Sequence, residues 1–179
     1  MIIAGVDEVG RGCLAGPVIA AAVIFKAKIS NLDDSKKLSP GTRKKLSTII
    51  IQNSYYAFGS ASHDEIDSIN ILQASLLAMK RAILNLPITP DEVLVDGNQK
   101  PDVDLPVQAI IGGDSLIAEI SAASIIAKVY RDNLMIEFNN IYPNYNFSQH
   151  KGYGTKSHLQ SIKAIGTCLI HRKTCHVYT

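Results

Sequence analysis

Two adjacent carboxylates and a glycine-rich turn near the start of the chain are the residues best suited to chemistry. Asp7 and Glu8 end an apolar segment, and Gly10, Arg11 and Gly12 follow. Neighbouring strand residues point to opposite faces, so we expect only one of the two acids to face the core. The glycines allow positive φ and close approach of a ligand, and the arginine adds a forked cation. The segment favours a metal and phosphate site, with an acidic strand end and a plain turn as the alternative.

Two further acids fall at the ends of predicted strands. Asp96 ends the segment 92–96, and Asp114 follows the segment 107–111. Ligands of open α/β sheets bind at the carboxyl ends of strands, so all four acids converge if their strands are neighbours. Converging carboxylates repel one another, and oxygen ligands favour Mg²⁺ or Mn²⁺ over Zn²⁺ as the neutralising ion. Taken singly, Asp96 fits a turn residue, and Asp114 fits the N-cap of the next helix.

The apolar periodicity predicts one mixed sheet with helices on both faces. Strands are predicted over residues 2–8, 18–25, 55–61, 92–96 and 107–111, and helices over residues 40–52, 115–140 and 156–165. Two more helix starts are a capping box of Ser62 with Glu65 and a looser one of Asn70 with Gln73. The second start precedes one apolar face formed by Leu72, Leu76, Met79, Ile83 and Leu86. Since nothing marks a linker, residues 1–179 are predicted to form a single domain.

Composition and charge place the chain among ordinary globular proteins. The net charge of +2 is too small to indicate nucleic-acid binding by itself. Local basic clusters can still bind a phosphate backbone, and they occur at Lys36-Lys37, Arg43-Lys44-Lys45, Lys151 with Lys156, and Arg172-Lys173. The three cysteines have no framework spacing, so we expect reduced thiols. The longest apolar stretch, residues 13–25, is too short to cross a bilayer and no signal peptide is evident, which predicts a soluble cytoplasmic protein.

Several stretches, in order along nearly the whole chain, resemble the bacterial type 2 ribonuclease H family, ribonuclease HII. They are GVDEVGRG (5–12), DSKKL (34–38), ILQA (71–74), VDGN (95–98), GGD (112–114), AASIIAK (122–128) and HKGYGT (150–155). The resemblance implies a ribonuclease H-like α/β fold, a five-stranded mixed sheet flanked by helices. It also implies an endonuclease that cuts the RNA strand of RNA–DNA hybrids and cuts 5′ to ribonucleotides embedded in duplex DNA. The products carry 3′-hydroxyl and 5′-phosphate ends, which suits ribonucleotide removal from DNA.

The same resemblance assigns the four acids to catalysis and metal binding. Family catalytic carboxylates fall here on Asp7, Glu8, Asp96 and Asp114. Two Mg²⁺ or Mn²⁺ ions are expected with substrate bound, one activating water and the other steadying the leaving 3′-oxygen. Asp7 and Asp114 are expected to anchor these ions, and Glu8 and Asp96 to complete the site.

Substrate contacts are implied at three places. Gly10, Arg11 and Gly12 correspond to the segment that senses the ribose 2′-hydroxyl, mostly through backbone atoms, and this hydroxyl distinguishes RNA from DNA. Tyr153 corresponds to the tyrosine that stacks on the sugar after the ribonucleotide; otherwise it would be a loop aromatic packed on the last helix. The phosphate contacts are assigned to the lysine pair, which otherwise would be solvated loop charges: Lys36 and Lys37.

Departures from the family pattern lie late in the chain. The part from about 167 to 179 is short and atypical, with neither the frequent proline between Cys168 and Ile170 nor a further helix. No clamp-binding glutamine–aromatic motif is seen, and a monomer is expected. The cysteines and histidines of this part have no standard zinc spacing: Cys168, His171, Cys175 and His176. Two other readings stay open, a carboxylate-dependent DNA nuclease of the same fold and a nucleic-acid-binding module without activity.

Overall fold

The strand that carries Asp7 and Glu8 is the central strand of a five-stranded sheet in the computed structural model. The strands are β1 (Ile3–Val9), β2 (Val18–Phe25), β3 (Ser54–Ala61), β4 (Glu92–Asp96) and β5 (Val107–Ile110), in the spatial order β3-β2-β1-β4-β5. β1 pairs antiparallel with β2 and parallel with β4. The predicted mixed sheet is confirmed. The structure describes residues 1–27, 29, 32 and 38–175, so Lys36, Lys37 and His176 lie outside the described residues.

Helices cover both faces of this sheet, as predicted. They are α1 (Pro40–Gln52), α2 (His63–Leu84), α3 (Gly113–Leu116), α4 (Ala118–Ile141), α5 (Phe147–His150) and α6 (Lys156–Ile165). Helix α2 packs on one face of the sheet, where it buries Ala4 and Val6 of β1. Helices α1 and α4 pack on the other face, around Ala21 and Val23 of β2. Within the described residues, every helix is too short or too polar to span a lipid bilayer.

Helix α2 begins as the capping box predicts. Ser62 is the N-cap, and its backbone N–H donates to the Glu65 carboxylate. The second predicted cap, Asn70 with Gln73, is also present, because Asn70 Oδ1 accepts the N–H of Gln73 at 3.0 Å. Asn70 has a non-helical backbone, with φ 69° and ψ 167°, so α2 consists of two helical segments that meet at a kink there. The predicted apolar face is correct in part. Met79 and Ile83 are buried, but the deepest remaining positions are small residues: Ala74, Ser75, Ala78 and Ala82.

The helix predicted from Ser115 is wrong at its start. Ile117 is extended, with φ −121° and ψ 122°, and separates the short α3 from α4. The N-cap of α3 is Gly112, so Asp114 lies in the first turn of a helix and does not cap one. As an N–H in the first turn, that of Asp114 has no partner within the helix, and it donates to Asp96 Oδ1 of β4 at 3.3 Å.

Gly5 lets α4 lie directly against β1. A Cβ atom at Gly5 would be 2.1 Å from the carbonyl carbon of Glu119 and 2.3 Å from the nitrogen of Ile120. The small residues predicted to allow close packing, such as Ala122 and Ala123, are fully buried. This close approach brings the middle of α4 to the end of β1, where the acids lie.

The Gly5→Ala substitution is expected to lower the melting temperature by several degrees. The added methyl meets helix backbone, which cannot move aside as a flexible side chain would, and overpacking of this kind costs about 1–3 kcal/mol. Gly41→Ala in α1 is the matched control, because no described atom lies within 4 Å of its Cβ position. Thermal unfolding followed by circular dichroism compares the two. Equal melting temperatures would contradict the packing assigned to Gly5.

Candidate active site

One cavity of about 360 Å³ opens at the carboxyl ends of β1 and β4. β1 and β4 pair in parallel up to Val6 and Val95, so the residues that follow, Asp7 and Asp96, lie side by side. Three of the four predicted acids line the cavity with five other residues: Asp7, Glu8, Asp96, Val9, Arg43, Ser124, Lys128 and Tyr153. The fold thus brings carboxylates from two strands to one opening.

Both acids of β1 are largely buried, which corrects the expectation that only one of them faces the core. Asp7 is 6% exposed, and its Oδ1 accepts the Glu8 N–H at 2.7 Å. Glu8 points to the opposite face, where its Oε1 accepts from Arg11 Nη1 at 3.3 Å. Strand alternation does separate the two side chains, but β1 is central and helices cover both of its faces. Each acid is therefore covered by the helices on its own face of the sheet.

The electrostatics of these acids are unfavourable without a cation. Burial, followed by the charges of Glu8 and Asp96, raises the pKa of Asp7 well above its ordinary value. Burial also raises the pKa of Glu8, although the Arg11 guanidinium opposes this. Glu8 Oε2 is buried and finds no hydrogen-bond partner among the described residues. An all-oxygen set with an unsatisfied buried oxygen fits a hard divalent cation.

The fourth acid lies beside the third and does not line the cavity. Asp114 is buried, and its backbone N–H donates to Asp96 Oδ1. Its Oδ1 lies 3.5 Å from the Ser115 hydroxyl. In the described part of the chain, no three His, Cys, Asp or Glu side chains form a ready-made metal-binding group. Any ion held here therefore needs further ligands.

The glycine-rich turn needs glycine at one of its two predicted positions. Gly10 has a φ of 96°, and a Cβ there would lie 2.2 Å from Arg131 Nε. Gly12 is exposed and does not have positive φ, so the expectation of a left-handed residue is wrong for Gly12. No described atom lies within 4 Å of the Cβ position of Gly12, which leaves its backbone open to approach.

Arg172 holds this turn from inside the protein, so counting it in a surface phosphate patch was wrong. It is 1% exposed. Its Nη2 donates to the Gly10 carbonyl at 2.6 Å, its Nη1 to the Arg11 carbonyl at 2.8 Å, and its Nε to the Gly16 carbonyl at 3.1 Å. Sequence reasoning missed this role because arginine is usually exposed and the bonded segments are far apart in the chain.

Arg131 of α4 holds the next part of the same loop in the same way. It is fully buried and donates to the carbonyls of Ala15, Pro17 and Lys151 at 2.8–3.0 Å. It thereby ties the loop that follows the turn to the loop that carries Tyr153. These two loops also share a short antiparallel bridge between Cys13 and Tyr153.

The Tyr153 ring forms part of the cavity wall beside α4. Lys128 Nζ lies 5.4 Å and Arg131 Cζ 5.9 Å from its ring centroid. Burial raises the pKa of Tyr153, with a further increase from the neighbouring Cys13. The ring therefore lies against residues of α4.

Besides the apolar Val9, three polar cavity residues were not predicted as site residues. Ser124 and Lys128 lie one turn apart on α4, and Ser124 hydrogen-bonds Asp7. Their spacing within the AASIIAK stretch was the available signal. Arg43, counted only within a basic cluster, lines the cavity and donates from Nη2 to the Leu38 carbonyl at 2.9 Å.

Comparisons with known proteins agree with this arrangement. The chain matches the ribonuclease HII family over residues 4–178. Ribonuclease HII of Borrelia hermsii is 54% identical over 177 residues, which cover 97% of this chain and 98% of that protein. The chain belongs to the ribonuclease HII family. The family resemblance stated from the motifs is thus confirmed, and members of this family are hydrolytic nucleases.

Solved structures of related enzymes share the ribonuclease H-like fold. Ribonuclease H2 from Pyrococcus horikoshii superposes with a TM-score of 0.81 at 28% identity, covering 99% of this chain and 95% of that one. Ribonuclease HII from Archaeoglobus fulgidus, solved in complex with PCNA, superposes with a TM-score of 0.79 at 25% identity, covering 98% and 95%. The predicted fold class is confirmed.

Replacing Asp7 by Asn is expected to raise the melting temperature of the metal-free protein at pH 7. The raised pKa of Asp7 means that the folded state disfavours its ionised form. The wild type therefore loses stability as the pH rises above the usual aspartate pKa of about 3.9, and the neutral amide removes this loss. Thermal melts in EDTA from pH 4 to pH 8 measure the difference, with exposed Asp104→Asn as control. A lower melting temperature for Asp7→Asn would contradict this account.

Proposed function

We propose that the chain is a metal-dependent endoribonuclease that cuts the RNA strand of RNA–DNA hybrids and duplex DNA 5′ to an embedded ribonucleotide, leaving 3′-hydroxyl and 5′-phosphate ends. The observation that carries the proposal is the single cavity that joins Asp7, Glu8 and Asp96 to Tyr153. Membership of the ribonuclease HII family supports the nuclease activity. The choice of substrate rests on the residues around the acids.

The carboxylates that would hold Mg²⁺ or Mn²⁺ are Asp7, Glu8, Asp96 and Asp114. When bound, two such ions would activate water and stabilise the leaving 3′-oxygen. The buried and unsatisfied Glu8 Oε2 supports this assignment. Because the described acids form no ready-made metal group, phosphate oxygens of the substrate would complete the coordination. Substrate and metal would then bind together.

The chain's own cations are placed to receive a phosphodiester backbone. Lys128 and Arg43 line the same cavity as the acids. Lys128 is also held by Asp132, with its Nζ 2.7 Å from Oδ1, which fixes the direction of its side chain. Both cations would neutralise phosphates next to the one that is cut. The phosphate contacts proposed for Lys36 and Lys37 remain predictions.

Recognition of the 2′-hydroxyl is assigned to the turn formed by Gly10, Arg11 and Gly12. The carbonyls of Gly10 and Arg11 already accept from Arg172. Contact with the ribose would therefore use the backbone N–H groups of the turn and the second lone pair of each carbonyl. The Tyr153 ring would pack on the deoxyribose of the next nucleotide, where a 2′-hydroxyl would crowd it.

A duplex with one labelled ribonucleotide, compared with an all-DNA duplex of the same sequence, tests the proposal. With Mg²⁺ or Mn²⁺, we expect cleavage only of the first, directly 5′ to the ribonucleotide, because only that substrate offers a 2′-hydroxyl to the turn. Denaturing gels give the position, and the product ends are identified by phosphatase and ligase sensitivity. Cleavage of both duplexes would indicate a general DNA nuclease, and binding without cleavage would indicate an inactive binding module.

Asp7→Asn and Asp114→Asn are each expected to abolish cleavage while duplex binding persists. The loss should exceed the roughly 10–100-fold reduction typical of losing an outer partner of a metal ligand, because the acids are proposed to bind the ions directly. Asp104→Asn is the control with an exposed acid. Single-turnover rates and gel-shift binding separate chemistry from affinity. Near-normal turnover of either variant with Mg²⁺ would show that its carboxylate is not a catalytic ligand.

A further inference from the structure

Three buried histidines lie under the loop that carries Tyr153, and the proposed chemistry uses none of them. They come from the end of α5, from α6 and from the segment after α6: His150, His158 and His171. The rings of His150 and His158 stack with centroids 4.2 Å apart, and those of His158 and His171 are 5.2 Å apart. They form a small polar group inside an otherwise apolar part of the protein around Tyr145 and Phe147.

The hydrogen bonds of two of these rings fix where their protons lie. The Cys168 backbone N–H donates to His171 Nδ1 at 2.9 Å, so that nitrogen carries no proton. The proton of the neutral His171 ring is then on Nε2, which lies 3.0 Å from His158 Nε2 and donates to it. His158 must therefore carry its own proton on Nδ1, which donates to the Tyr153 carbonyl at 2.9 Å. The tautomer of His171 thus determines the tautomer of His158.

His150 follows the same logic on the other side of the loop. Its Nδ1 accepts the Gly152 N–H at 3.1 Å, so its Nε2 carries the proton and donates to the Tyr145 carbonyl at 2.6 Å. Burial lowers the pKa of all three histidines, that of His171 to about 4. The rings are therefore neutral at pH 7, which is the state that the hydrogen bonds require.

The backbone before Tyr153 needs such support. Lys151 and Gly152 both have positive φ, 54° and 87°, and this conformation is uncommon for a residue with a side chain. Leu14 donates its N–H to the Gly152 carbonyl at 2.8 Å and holds one side of the loop. The Tyr153 carbonyl accepts two hydrogen bonds, one from the Thr155 backbone N–H at 2.8 Å and one from the His158 side chain.

We propose that His158 and His171 are positioning residues that orient Tyr153 in the cavity through a directed chain of hydrogen bonds from the Cys168 N–H to the Tyr153 carbonyl. This inference rests on the proposed function, in which the Tyr153 ring contacts the sugar next to the ribonucleotide. Neither histidine lines the cavity. Their effect on cleavage therefore passes through Tyr153.

Two substitutions of His158 separate positioning from general packing. In His158→Asn, the amide nitrogen takes the place of Nδ1 and still donates to the Tyr153 carbonyl. In His158→Gln, the amide lies near the position of Nε2, so the Tyr153 carbonyl loses its side-chain donor and keeps the Thr155 backbone N–H. Both variants lose the ring and its stacking. A purely structural role would affect both alike, whereas a positioning role would spare His158→Asn.

Single-turnover cleavage of the one-ribonucleotide duplex is measured for each variant alone and combined with Tyr153→Ala. We expect His158→Gln to slow cleavage by about tenfold, the size of effect that one hydrogen bond can have, and His158→Asn to slow it much less. In the Tyr153→Ala background, His158→Gln should reduce the cleavage rate little further, because no ring remains to be positioned. The inference would be overturned if His158→Gln slowed cleavage by the same factor with and without Tyr153→Ala, or if the Asn and Gln variants were slowed equally. It would also be overturned if Tyr153→Ala cleaved as fast as the wild type.

Imidazole ¹⁵N NMR of the wild type at pH 7, without substrate, tests the hydrogen-bond chain separately from activity. We expect His158 to carry its proton on Nδ1 and His171 on Nε2, both neutral. Any other tautomer, or a protonated ring, would overturn the chain of bonds even in an active enzyme. A wild type that cuts neither the hybrid nor the ribonucleotide duplex with either metal would instead overturn the proposed function, and the positioning role with it.

Discussion

The burial of carboxylates at the end of the central strand is the constraint on which the rest of the structure depends. β1 has neighbours on both edges and helices on both faces, so Asp7 and Glu8 leave water whichever way they point. Desolvation of ionised groups costs several kcal/mol per ion unless partners offset it. The Glu8 N–H, the Ser124 hydroxyl and Arg11 offset part of this cost. The remainder makes the cavity receptive to cations.

Helix α4 connects this acidic strand end to the loops around it. Gly5 allows its backbone to touch β1, and from that contact onward one side of the helix faces the site. Ser124 bonds Asp7, Lys128 lines the cavity, and Arg131 binds the loop carbonyls. These residues follow each other at intervals of four and three, so they lie on one helical face. One helix thus contacts both the acids and the loops beside the cavity.

The two loops beside the cavity, residues 10–17 and 151–155, lie outside the helices and the sheet, and buried side chains bind their backbone groups. Arg131 and Arg172 each donate to three carbonyls, and His150 and His158 bind backbone groups of the Tyr153 loop. Buried carbonyls without partners would be costly, so these bonds both stabilise the loops and define their shape. The atypical C-terminal part contributes here, because Arg172 and His171 lie in it. The loops proposed to contact the substrate are thus held by buried side chains rather than by strand pairing.

The sequence by itself determined the strands, most helix bounds, the capping box at Ser62 and the family, because these depend on neighbouring residues and on motifs in a fixed order. It also placed the acids at strand ends. Only the tertiary structure decided that Glu8 is covered as well as Asp7, that Asp114 does not cap a helix, and that Arg172 is buried. Arg172 meets Gly10 and Arg11 across more than 160 residues of sequence. Burial and hydrogen-bond partners are properties of the packed chain, and no local pattern encodes contacts over such separations.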